Sequence, residues 1–239
     1  MSLLTQRSLL REKKFKHIKS IRYISIVLGA IFAVILVSSC SSDEEITPGD
    51  ANETLVKEAR SFLAGDIVLN TKATMCGVDK TLLATGCPTK FKFQWSGSDE
   101  QTLNISLLNF TVGSMGMIIN FKCDVKTMQL NSWEKDEYPG DGWLKFYGED
   151  GSCWGQNEDG SDFDGDGSAG GSVVKGSFVQ GYYNAKTHQI EFVVSYNMMN
   201  VRSECFLQTI DKTRINRFEE EFAQYEKDLE EAKKNQGKS

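Results

Sequence analysis

The run Asp162-Phe163-Asp164-Gly165-Asp166-Gly167 sets three carboxylates at alternate positions around a glycine bend. Hard Ca2+ collects about six to eight oxygens, and a D-x-D-x-D-G turn aims its carboxylates inward to supply them. Further oxygens would come from Glu158, Asp159 or a carbonyl near Ser168, because Val173 stands where such a loop places its bidentate glutamate. The residues leave two readings, a solvated acidic loop between strands and a weak, extracellular-grade Ca2+ site at Asp162, Asp164 and Asp166, and no other cofactor is required. Cys76 and Cys87, ten loop-like residues apart, form the expected disulfide, while Cys123 and Cys205 fall on inward rows where they either bond or fill core. Trp133, Trp143 and Trp154 lie in or near loops, where indoles give sugar rings a flat face to stack on. Trp95 shares a row with Phe91 and Phe93 and is expected in the core.

The elements that must carry these residues are strands. Phe91, Phe93 and Trp95 alternate with polar residues, as do Leu103, Ile105 and Leu107 until Leu108 breaks the phase like a β-bulge. Ile119, Phe121, Cys123 and Val125 alternate in the same way, the sign of antiparallel sheet with one wet face. Val173 to Tyr183 and Gln189 to Met199, joined through Asn184-Ala185-Lys186-Thr187, read as a hairpin whose second strand turns Ile190, Phe192, Val194, Tyr196 and Met198 inward. Val201 to Ile210 adds a last strand, and segments near Ile67 to Met75 and Trp143 to Tyr147 complete about eight. Asp50 and Glu53 fit a capping box ahead of a short helix with Leu55, Ala59, Phe62 and Leu63 on one face. From Thr213 onward, Ile215, Phe218, Phe222, Tyr225, Leu229 and Ala232 form a heptad stripe. Its simplest use is a helix laid on the sheet; the other use is a partner helix.

The N-terminus carries a different chemistry. Arg7, Arg11, Lys13, Lys14, Lys16, Lys19 and Arg22 precede an apolar run from Ile24 to Val37, which at 14 residues falls short of the roughly 20 a spanning helix needs. Val37-Ser38-Ser39-Cys40 then resembles the lipobox of bacterial lipoproteins. That resemblance implies a signal peptide over residues 1–39 and acyl chains on Cys40, with Ser41 implying passage to the outer membrane. The acidic triplet Asp43-Glu44-Glu45 resembles the surface-export signal of Bacteroidota lipoproteins and implies the cell surface. Without residues 1–39, 20 of the 27 basic and 32 of the 33 acidic residues remain, a formal charge of −12 that disfavours nucleic acid. Residues 40–53 read as a polar tether, and residues 54–239 as one β-rich domain ending in a helix over 213–234.

The order of elements from about residue 54 to 232 resembles the calycin, or lipocalin-like, barrels of Bacteroidota lipoproteins. The expected fold is all-β: an antiparallel barrel of this type, or a sandwich of about eight strands, with a short N-terminal helix and a C-terminal amphipathic helix. Gly65-Asp66-Ile67 departs from the Gly-x-Trp of true lipocalins. Gly151-Ser152-Cys153-Trp154 resembles the tail of the papain nucleophile motif, yet an acidic loop follows it rather than a helix, and His188 falls in the predicted hairpin turn. Metalloprotease, zinc and P-loop motifs are absent from the sequence.

The expected function is a lipid-anchored, non-catalytic binding or assembly module. The alternatives are a hydrolase of surface glycans with two carboxylates about 5 to 10 Å apart and a structural subunit of a surface complex. The partner follows from the interior: a deep apolar cavity implies a small apolar ligand, a flat aromatic face a glycan, and a filled interior a protein.

Overall fold

A computed structural model describes residues 51–111, 117–157 and 173–236 of the chain. Residues 1–39, Cys40 and the acidic run Asp162, Asp164 and Asp166 lie outside them. Helix α1 (Glu53–Phe62) leads into strands β1 (Gly65–Met75), β2 (Val78–Asp79), β3 (Cys87–Trp95), β4 (Thr102–Phe110) and β5 (Ile118–Met128). A short helix α2 (Ser132–Glu137) precedes β6 (Trp143–Gln156), β7 (Val174–Asn184), β8 (Gln189–Ser195) and β9 (Val201–Thr209). A 3-10 turn (Lys212–Arg217) then enters helix α3 (Phe218–Gln236). Neighbouring strands pair antiparallel in the order β2-β1-β3-β4-β5-β6-β7-β8-β9, and β1 also pairs with β9, so eight strands close into a barrel with β2 as an extra strand. That closure decides for a barrel over a sandwich and fits a calycin-like fold.

Alternation fills the inside. Ile67 and Leu69 of β1, Phe91 and Phe93 of β3, Ile105 of β4, Phe121 of β5, Phe146 of β6 and Phe192 of β8 belong to one buried cluster. Phe192 meets Phe91 edge-on with ring centroids 5.0 Å apart, and Tyr196 meets Phe121 at 5.5 Å, the tilted geometry that favours aromatic pairs. Among the described residues the lumen is therefore filled by packed side chains.

One end of the barrel is plugged by α1. Its cap is Asn52, whose side chain accepts from the Thr54 and Leu55 amides, in place of the expected Asp50. Val56, Ala59 and Leu63 enter the core cluster, and Ala51 ahead of the cap is already buried. Trp95 donates its indole N–H to the Leu63 carbonyl at 2.7 Å, and Arg60 donates to the Ser96 and Glu100 carbonyls of the β3–β4 turn.

The hairpin β7–β8 and the bulge at Leu108 agree with the sequence pattern, the bulge as a register shift between Leu107 and Phe110 with Asn109 left-handed at φ 56°. Strand β6 runs nine residues beyond the expected end at Tyr147. The extension hides in Gly148 and Gly151, which break the alternation because the wall is too tight for a side chain there. A Cβ on Gly148 would come within 2.2 Å of the Asp124 carbonyl oxygen, and one on Gly151 within 2.8 Å of the Ser177 carbonyl oxygen.

The stripe on α3 is used within the chain. Tyr225 and Leu229 are buried in the main cluster, and the Tyr225 hydroxyl donates to the Thr81 carbonyl at 3.3 Å. The helix covers the seam where the β1–β3 ladder ends at Thr71 and Cys87 while β1 runs on to Met75.

Candidate functional site

The most concentrated chemistry among the described residues lies on the outer wall near the plugged end. Lys145 of β6, Tyr182 of β7 and Glu191 of β8 are cross-strand neighbours in one outward row. Helix α2 lies over them because Asn131 and Glu134 form a capping box: the Asn131 side chain accepts from the Glu134 amide at 2.9 Å, and a Glu134 oxygen accepts from the Asn131 amide at 3.0 Å. Glu134, fully buried, also accepts from Lys145 Nζ at 2.7 Å and from the Tyr182 hydroxyl at 2.8 Å. Tyr138 at the end of α2 donates its hydroxyl to Glu191 and stacks on Tyr182 with centroids 4.0 Å apart. Trp143 tilts against Tyr138 at 5.0 Å.

This network inserts two carboxylates and an ammonium beneath a lid of aromatic rings. Burial, with the Glu191 carboxylate accepting its proton, holds the Tyr138 hydroxyl well above the ordinary phenol range; burial and the Glu134 carboxylate do the same for Tyr182. Both phenols thus stay protonated as donors, which is what a buried carboxylate needs. Glu134 and Glu191 face tyrosines and a lysine rather than one another across a cleft, so the arrangement clamps α2 to the wall.

The expected aromatic face separates into two places. Trp133 on α2 is 60% exposed, and Trp143 is half-buried beside it in sequence order at the plugged end. Trp154 pairs with Asn120 eleven residues farther along β6, about 35 Å away at the usual strand rise. The three indoles do not form one platform.

The expected Cys76–Cys87 bridge is absent, and all five described cysteines are free thiols. Register explains it. Cys87 pairs with Thr71, and Cys76 lies five residues beyond Thr71, about 16 Å along the strand, whereas a bridge needs Cα atoms within about 7 Å. Cys87 is buried, while Cys76 sits exposed in the turn to β2. Burial pushes the Cys87, Cys123 and Cys153 thiols up to about 12 and raises Cys205 as well, so these sulfurs act as core rather than nucleophiles. Cys153 lies inside β6, not at a helix N-terminus.

His188 occupies the β7–β8 turn at φ 57°, stacked on Phe62 of α1 with centroids 3.5 Å apart and with Nδ1 3.0 Å from the Tyr183 hydroxyl. It ties the plug to the wall. Among the described residues, no group of three or more His, Cys, Asp or Glu side chains is placed to hold a metal ion, and no helix is long and apolar enough to cross a membrane.

Sequence reasoning named Trp133 and Trp143 but missed Glu134, Tyr138 and Glu191. The signal for the first was present as Asn131 followed three residues later by Glu134; the others come together only through strand register. The chain matches the family described as Domain of unknown function (DUF4903) over residues 40–237. No curated protein and no solved structure matches it.

Proposed function

Since the chain belongs to the DUF4903 family, we propose that it is an outer-membrane lipoprotein anchored through acyl chains on Cys40, whose barrel serves as a non-catalytic binding or assembly module that meets its partner with its outer surface. The observation that carries this reading is the filled lumen. With Phe91, Phe93, Phe121, Phe146 and Phe192 packed across the interior, a small apolar ligand would have to displace core side chains, each worth several kcal/mol of packing. The outer wall and the two ends remain as contact surfaces, which favours a protein partner. The family match beginning at Cys40 supports that residue as the start of the mature chain, and Asp43-Glu44-Glu45 behind it supports export to the surface.

Two measurements test the reading. Cells fed an alkyne fatty acid should label the protein, with the label lost in Cys40→Ser; an unlabelled wild type removes the anchor. Titration with an environment-sensitive fatty-acid fluorophore should show no saturable site, and one-to-one binding would return the barrel to the carriers of small apolar ligands.

A further inference from the structure

The chain enters the barrel at the plugged end, where Ala51 is buried and Asn52 caps α1. Only residues 41–50 separate Ala51 from Cys40. Eleven steps reach at most about 40 Å. The wall itself is about 28 Å tall, since the eleven residues of β1 rise about 3.3 Å each and barrel strands tilt by about 40°. An acyl chain on Cys40 would therefore keep the plugged end nearer the bilayer than the far rim. To set the far rim there, the tether would have to run almost straight past the whole wall.

Exposed apolar side chains divide between the two ends accordingly. Among the described residues Trp133, at 60% the most exposed large apolar side chain, stands at the plugged end, as does the less exposed Leu207. It is not on a loose loop: the capping box and the Glu134 bonds to Lys145 and Tyr182 fix its helix to the wall. An amphipathic indole held rigidly outward is the side chain that settles most readily at the headgroup level. Val78, Leu108, Val173 and Met199 are exposed at the other end, where Cys76, Asn109, Asn197, Met199 and Asn200 hold left-handed backbone, against His188 alone of the described non-glycine residues at the plugged end. Such conformations cost energy for residues other than glycine and collect where a protein makes contacts.

We propose that the barrel stands on its plugged end, with the Trp133 indole seated in the interface of the bilayer that anchors Cys40 and the rim bearing Val78, Leu108, Val173 and Met199 turned away from it. The proposal rests on acylation of Cys40.

The test uses the full chain purified in its acylated form and reconstituted into phosphatidylcholine vesicles with brominated acyl chains, which quench nearby tryptophan emission. Wild type should float with the vesicles and be quenched. Trp133→Phe should still float, with an unchanged thermal midpoint, while roughly a third or more of the quenching disappears, because Trp95 and Trp143 at the same end are half-buried, against Leu63 and Tyr138, and Trp154 stands toward the far rim. Quenching that is absent in floating wild type, or that persists unchanged in Trp133→Phe, overturns the orientation and leaves the anchor standing. A wild type that carries no acyl chain and does not float removes the anchor, and the orientation with it.

Discussion

A thiol reports its surroundings through its reactivity, and the described residues offer five contrasting cases. Cys76 is exposed in the β1–β2 turn with its sulfur 3.5 Å from the Met199 carbonyl, whereas Cys87, Cys123, Cys153 and Cys205 are buried. Iodoacetamide at pH 8 should therefore label Cys76 alone among them in the folded protein, and all five after denaturation; intact mass reads the count. Labelling of two or more in the native state would mean that the core opens more readily than its packing implies. Asp99 is the opposite kind of residue, an exposed carboxyl. Hydrogen bonds from Lys126 and Thr102 hold it down at about 2, but it stands in water, where such pairs are screened and contribute little.

At the scale of elements, α2 shows how a six-residue helix, too short to persist alone, is fixed by one carboxylate. Glu134 closes the cap and accepts from Lys145 and Tyr182. Glu134→Ala should cost about 3 kcal/mol, because it strands a largely buried ammonium and a phenol without their acceptor; Glu134→Gln, which can still close the cap, should cost less. Urea unfolding measures both, and a loss under about 1 kcal/mol for the alanine variant would mean that water reaches the pocket and replaces the carboxylate. The same helix marks the limit of what the sequence made legible. Strands β3, β5, β8 and β9 could be read from Phe91, Phe121, Phe192 and their neighbours, since alternation is a local signal. The second half of β6 could not, because Gly148 and Gly151 answer to the Asp124 and Ser177 carbonyls on other strands. The cluster of Glu134, Lys145, Tyr182 and Glu191 could not either, since its members meet only through register and are spread over 58 residues of chain. The heptad stripe was legible as a pattern, but only the packing of Tyr225 and Leu229 shows that its partner is the chain's own seam.

For the molecule as a whole, the balance of buried acids sets how it responds to alkali. Tyr138, Tyr182, Tyr183 and Tyr196 are held above their ordinary value of 10.0, chiefly by burial, and the four buried thiols above 9.0. The unfolded chain therefore loses these protons first, so their contribution to stability is complete below about pH 9 and is lost as pH rises beyond it. The thermal midpoint should fall steeply from about pH 9 upward, and tyrosinate absorbance should jump at unfolding rather than titrate smoothly. A smooth titration of all the phenols in the folded state would contradict the burial described above. The pairing of Thr71 to Met75 with Val201 to Cys205 has a further consequence, for timing. The first strand, which also pairs with β2 and β3, finds β9 only when the last strand has been made, and contacts between such distant parts of a chain form slowly. A polypeptide delivered N-terminus first would thus keep the Thr71 to Met75 stretch of β1 waiting for β9 until residue 205 emerges, so it cannot lock shut while still in transit.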